Sequence, residues 1–157
     1  MSTRRVLFVL TLLAGFAGAG GTGGAQSPGG GSTQLAIVGA SGRHAFTVEV
    51  AETPEQMERG LMFRRELAPD AGMLFDFKTP TLATMWMHNT LIPLDMLFVD
   101  QQGLIVNIAQ RAVPESDATI AAAAPVRAVI ELNGGTADRL GIKPGDRVLY
   151  SIFGNSS

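Results

Sequence analysis

The residues best suited to chemistry gather in one stretch, Trp86-Met-His-Asn-Thr-Leu-Ile-Pro-Leu-Asp95, with Glu131 and Asn133 further along the chain. Trp86 is the only tryptophan and His88 is one of two histidines. In a strand over residues 82–88, alternation sends Thr84, Trp86 and His88 to one face and Met85 and Met87 to the other. The first face then carries an aromatic ring with a donor, an imidazole and a hydroxyl, followed by the Asn89 amide and the Thr90 hydroxyl. Such groups are costly to bury unless hydrogen-bonded, and a pocket for a polar ligand is built from them. Trp86, His88, Asn89, Thr90, Asp95, Glu131 and Asn133 are therefore the candidate ligand-binding residues. The competing reading is structural: Trp86 covers the core while His88 and Asn89 make turn contacts.

Asp95 and Glu131 each sit among apolar neighbours, poor positions for an unpaired charge. Two such carboxylates in different environments could serve as a general acid and base, which makes them the candidate catalytic residues. They could equally be structural, paired with Arg64, Arg65, Arg111 or Arg127, or accepting backbone N–H groups. Met85-Trp-Met-His88 also holds soft ligands of the kind copper(I) prefers. Strand alternation separates Met87 from His88, however, and His44 is the only other imidazole, so no metal site and no cofactor are expected.

Those residues need a scaffold, and the first part of the 157-residue chain does not supply it. Two arginines near the start, an apolar run over residues 6–17 and the small residues Ala17-Gly18-Ala19 have the order of a secretory signal peptide, residues 1–19. The run is shorter than the roughly 20 apolar residues a membrane-spanning helix needs, so no stable membrane insertion is expected after cleavage. Residues 20–33 are rich in glycine and read as a flexible linker. A single globular domain is expected over residues 34–153, in the periplasm or outside the cell. With no cysteine it must stand on its core alone. Without Arg4 and Arg5 the chain has 10 basic against 14 acidic side chains, the basic ones scattered, which argues against nucleic acid as a partner. No oligomeric state is assigned.

Eight strands are expected, over residues 35–38, 45–50, 72–77, 82–88, 95–99, 104–109, 127–132 and 147–153. Thr53-Pro-Glu-Gln56 is the start signal of a short helix, with Thr53 as N-cap, Pro54 at the first helical position and Gln56 closing a capping box. Glu55 and Arg59 are spaced for an ion pair, and Gly60 either weakens the helix or marks a close approach to another part of the backbone. Thr136 is the expected cap of a second helical turn, stopped by Gly141. Residues 111–125 stay unassigned. The fold class is α+β, mostly β: an antiparallel barrel or sandwich with two short helices. Phe46, Val48, Leu61, Leu74, Met85, Met87, Leu97, Val99, Ile105, Ile130, Leu132 and Val148 are its expected core.

Across residues 46–150 the chain resembles the domain of unknown function 192 family. The resemblance rests on four ordered blocks: Thr53-Pro-Glu-Gln-Met-Glu-Arg-Gly-Leu-Met62; Gly72-Met-Leu-Phe75; Trp86-Met-His-Asn-Thr90 with Leu94-Asp95; and Val129-Ile-Glu-Leu-Asn-Gly134 through Gly141-Ile-Lys-Pro-Gly-Asp146. It implies a small, mostly β domain, often behind an export signal, with no established activity. The family pattern usually has Lys or Arg where His88 stands, which argues against an obligatory imidazole mechanism and suits a pocket wall needing a nitrogen donor. Three functions follow: an exported binding or accessory domain for a polar small molecule or envelope glycan, which leads; an envelope-glycan hydrolase using Asp95 and Glu131; and a purely structural module.

Overall fold

The computed structural model describes residues 31–156, so the expected signal peptide and most of the glycine-rich stretch lie outside the described residues. Strand β1 (Ser32–Gly39) turns back at Gly39↔Gly42 into the antiparallel strand β2 (Gly42–Ala51). A short helix, α1 (Pro54–Arg59), leads to β3 (Ala71–Thr81), which runs parallel to β2. The capping box forms as expected. Thr53 Oγ1 accepts from the Gln56 N–H at 3.2 Å, and Gln56 Oε1 accepts from the Thr53 N–H at 3.2 Å. Gly60 ends the helix with φ 46°, and the close approach there is to the Phe75 ring, not to backbone.

After a two-residue strand β4 (Thr84–Met85) come β5 (Leu94–Val99), β6 (Ile105–Ala112) and another two-residue strand, β7 (Ile120–Ala121). Strand β8 (Val126–Asn133), helix α2 (Thr136–Leu140), strand β9 (Arg147–Leu149) and a 3-10 turn at Ser151–Phe153 complete the chain. The main sheet has the order β6-β5-β8-β3-β2-β1-β9, antiparallel except at β2–β3. It curls until its two ends meet: Leu104 bridges Arg147, and the Val148 N–H donates to the Gly103 carbonyl at 2.7 Å. The fold is α+β, mostly β, as the alternation patterns implied.

Two apolar layers cover the two faces of the sheet. Phe46, Val48, Leu74, Leu97, Ile130, Leu132 and Val148 fill one, and Leu61, Phe75, Met87, Met96, Phe98 and Val129 the other. Of the expected core residues only Met85 is left half-buried. It lies where the strand expected over residues 82–88 gives out. The Met87 N–H goes to the Ser116 carbonyl and the Thr90 N–H to the Met87 carbonyl, so the chain peels into a turn after Met85. The partner that holds it is β7, inside the stretch left unassigned. The last strand likewise stops at Leu149 instead of running to Phe153.

Candidate functional site

Helix α1 and the turn over residues 85–90 form two walls of one groove, tied by the Phe63 N–H to the Asn89 carbonyl at 2.9 Å. Its volume is ≈ 480 Å³. Glu55, Glu58, Arg59, Met62 and Phe63 line one side, and Trp86, His88 and Asn89 the other. Trp86 is 49% exposed and stacks on the His88 ring, centroids 4.9 Å apart and 25° between planes. His88 Nδ1 in turn meets Asp117 Oδ1 at 2.6 Å, so the imidazole is held against the indole from behind. Asn89 sits at φ 52°, a left-handed conformation that asparagine tolerates well, and its side-chain amide makes no hydrogen bond to the described residues. Glu55 and Arg59 form no ion pair despite their spacing; both acids of the helix and its arginine are left to the groove.

Below the groove lies a chamber of ≈ 30 Å³, reached past Trp86, Met62 and Arg59. Its walls are Met57, Leu61, Phe75, Met85 and Thr90, with Glu58 and Arg59 on the α1 side and Glu131 at its buried end. A second cavity, ≈ 330 Å³ between β1 and Tyr150, contains no buried titratable side chain.

The two carboxylates expected as a catalytic pair do not meet. Asp95 is register partner to Leu132, and Met96 to Glu131. Directly opposed residues share a face and successive ones alternate, so Asp95 and Glu131 point to opposite sides of the sheet. Their environments differ as sharply. Asp95, fully buried, accepts three backbone N–H groups: Arg111 at 2.8 Å and Gly135 at 2.9 Å on Oδ1, and Ala137 at 2.8 Å on Oδ2. The last of these caps α2, the task expected of Thr136; the N-cap is Gly135, and no side chain of the helix itself caps it. Asp95 is a structural acceptor. Asn133 is structural too, donating to the Leu67 and Ala68 carbonyls at 3.0 and 2.9 Å and pinning the loop before β3.

Glu131 has none of this. It is 4% exposed, and among the described residues its carboxyl has no hydrogen bond and no ion pair. Arg64 pairs with Glu49 at 2.6 Å, Arg111 with Asp138 at 3.2 Å and Arg127 with Asp76 at 2.7 Å, while Arg65 pairs with neither buried acid. Burial pushes the Glu131 carboxyl up to about 8, so it is protonated at neutral pH. Asp76 shows the contrast. Burial alone would raise it, but hydrogen bonds from Arg127 and Lys78 hold it at about 2. Among the described residues four carboxylates are buried, and three have donors; Glu131 alone faces an open chamber.

Known proteins share both the sequence blocks and the fold. The family model DUF192, described as "Uncharacterized ACR", matches residues 36–150. The chain belongs to the DUF192 family. Two solved structures share its fold and much of its sequence. One, from Sinorhizobium meliloti 1021 and described as a "putative transcription regulator", is 47% identical with a TM-score of 0.78, covering 81% of this chain and 99% of its own. The other, a protein of unknown function from Novosphingobium aromaticivorans DSM 12444, is 44% identical with a TM-score of 0.75, covering 83% of this chain and 100% of its own. No curated protein matches. The groove and chamber of this DUF192 domain are built from the family-like blocks: the first supplies Met57 to Met62, the third Trp86 to Thr90, and the last Glu131. Several wall residues carry no sequence signal of a site. Glu55, Glu58 and Arg59 look like the solvated side of a helix, and Asp117 lies in the unassigned stretch.

Proposed function

We propose that this DUF192 domain is an exported binding module whose groove between α1 and residues 86–89 takes a polar small molecule or a piece of envelope glycan. One observation carries the reading: an exposed Trp86 ring, braced by His88, stands beside an unpartnered Asn89 amide on the wall of a ≈ 480 Å³ groove. A large aromatic with adjacent free polar groups offers stacking area and directional hydrogen bonds together, at little cost in conformational entropy. The hydrolase reading loses its basis with Asp95 and Glu131 on opposite faces. Recognition of nucleic acid, suggested by the description of the S. meliloti relative, is disfavoured because Arg64, Lys78, Arg111 and Arg127 are each engaged by a carboxylate.

The test is a thermal-shift screen of envelope sugars and short peptides, since a ligand that binds only the folded state raises its melting temperature. Asn89→Gly keeps the left-handed turn while removing the amide, and His88→Gln removes the ring behind Trp86. Both variants should keep the parent's stability within about 1 kcal/mol and lose roughly tenfold in affinity, the usual scale for one polar contact. Large destabilisation by both, with no compound shifting the parent, would hand the groove to a structural role.

Export is the second part of the proposal, resting on the apolar run at residues 6–17 behind two arginines. Sequencing the N-terminus of protein from its native host should find a start after Ala19 or shortly beyond. Recovery of intact Met1 from the cytosol would reject it.

A further inference from the structure

The chamber under the groove is lined by three oxygen-bearing side chains, Glu131, Thr90 and Glu58, against one guanidinium, Arg59. Glu131 ends in it unpartnered, and the Thr90 hydroxyl spends its proton on the His88 carbonyl at 3.2 Å, leaving its lone pairs free. Apart from Glu58 and Arg59 on the α1 side, the wall is apolar or soft: the thioethers of Met57, Met62 and Met85, the Phe75 ring and the Trp86 ring. We propose that this chamber receives the head of a primary amine, an –NH3+ group on a ligand whose remainder lies along Trp86 in the outer groove. The inference rests on the groove being a ligand site, and it names the chemical class that the site selects.

Three properties of the chamber fit an ammonium group better than its rivals. An –NH3+ group has three donors and no acceptor, so a carboxylate and a hydroxyl oxygen complement it; a hydroxyl group brings only one donor. The chamber's ≈ 30 Å³ admits a small head group and leaves little room beside it. A quaternary ammonium, with four carbons around the nitrogen, has no N–H to give Glu131 or Thr90 and loses this complementarity. Soft sulfur and an aromatic face add attraction for a cation as it sheds water.

The charges nearby agree. From α1 the chamber faces Glu58 and Arg59, and the outer groove adds Glu55; none of the three is ion-paired. The β3 and β5 neighbours on the Glu131 face are Met73, Phe75 and Met96, which carry no charge. From the turn, the only titratable group is His88, already turned to Asp117. Three carboxyl groups against one guanidinium favour a ligand carrying positive charge inward, with Arg59 available for an anionic or hydroxylated part at the mouth.

Binding would then release a proton. The ligand enters as R–NH3+, the Glu131 O–H bond breaks, its proton passes to solvent, and the carboxylate left behind pairs with the ammonium. Because the free carboxyl is held up at about 8, an amine that is itself fully protonated should release nearly one proton per ligand at pH 7, and the number should fall towards zero above about pH 9.

Isothermal titration calorimetry of the purified protein at pH 7, in phosphate and in MOPS, tests this with glucosamine, glucose, n-propylamine and tetramethylammonium as probes. Glucosamine should bind at least about tenfold tighter than glucose, in line with a hydrogen-bonded charge pair. Its apparent enthalpy should differ between the buffers by most of the ionisation enthalpy of one proton, the amino group itself taking up the remainder. Propylamine should show the same buffer dependence more weakly, and tetramethylammonium should not bind. Glu131→Gln should erase both the amine preference and the proton release, and Thr90→Val should weaken amines alone. Equal binding of glucose and glucosamine with no proton release would overturn the amine assignment while leaving the groove a ligand site. Silence from every probe and from the wider sugar and peptide screen would overturn both. Buffer dependence of the parent protein decides the matter even if the Glu131 variant fails to fold.

Discussion

Replacing Asp95 with alanine is expected to destabilise the domain by on the order of 3–5 kcal/mol, because three buried N–H groups lose their acceptor at once and each orphaned group costs about 1–3 kcal/mol. The donors come from three places: Arg111 in β6, Gly135 before α2, and Ala137 within it. Asp95 is thus a pin through which β5 holds the end of β6 and the start of α2. Asn at this position keeps the shape but points an NH2 group at one of the donors, so Asp95→Asn should recover only part of the loss. Urea unfolding measures the cost, and hydrogen exchange locates it, with the Arg111, Gly135 and Ala137 amides exchanging faster than those of β3. A loss under about 1 kcal/mol would mean that these bonds are not held in solution.

Glu131→Gln should act in the opposite direction. A carboxyl whose ordinary value near 4.5 is pushed up to about 8 by burial binds its proton more tightly folded than unfolded. Stability is therefore full below pH 4.5, falls as pH rises from 4.5 to 8, and is flat beyond. Across that window the loss runs at about 1.4 kcal/mol per pH unit, so by pH 8 it is on the order of several kcal/mol. Gln cannot ionise and removes the slope. The buried amide has its own cost of about 1–3 kcal/mol, which leaves a net gain of roughly 2 kcal/mol at pH 8 and a small loss at pH 4. Asp76 contributes the reverse dependence, its stability fading only as pH falls below its unfolded value towards 2, so the two windows do not overlap. Urea unfolding at pH 4, 6 and 8 tests the sign. An unchanged slope in the variant would show that Glu131 is solvated or paired in solution. Such a residue is kept at a cost to the fold, a pattern typical of groups retained for binding.

Local signals in the sequence translate directly into structure. Thr53, Pro54 and Gln56 act within one turn of helix, and the period-two alternation of Phe46 and Val48 depends only on the strand they occupy. What stays hidden is set by distant partners. The strand over residues 82–88 is cut short because Met87 bonds to Ser116, and nothing near Met87 in the sequence announces it. Asp95 and Glu131 look alike in the sequence, each an acid among apolar neighbours. One is satisfied by donors some 16 to 42 positions away, and the other by none. Register decides that difference, and register is a property of pairs of strands. Trp86 and His88 do lie together with their rings stacked, but a turn and not a continued strand brings them there, and Met85, expected on the other face, lines the same chamber as Trp86.

The closing of the sheet bears on the order in which the domain can form. Strand β1 has β2 on one side and β9 on the other, and β9 lies more than a hundred residues further along the chain. Until Arg147–Leu149 arrive, one edge of β1 offers unpaired N–H and carbonyl groups, and the far end of the sheet at Leu104 has nothing to bridge to. Sequence-distant pairing of this kind carries a large loop-closure cost before any contact rewards it, which makes folding slow and late. A chain still held on the ribosome therefore has no finished domain. The pairing that joins the two ends of the sheet also leaves the domain open until its last strand has been delivered.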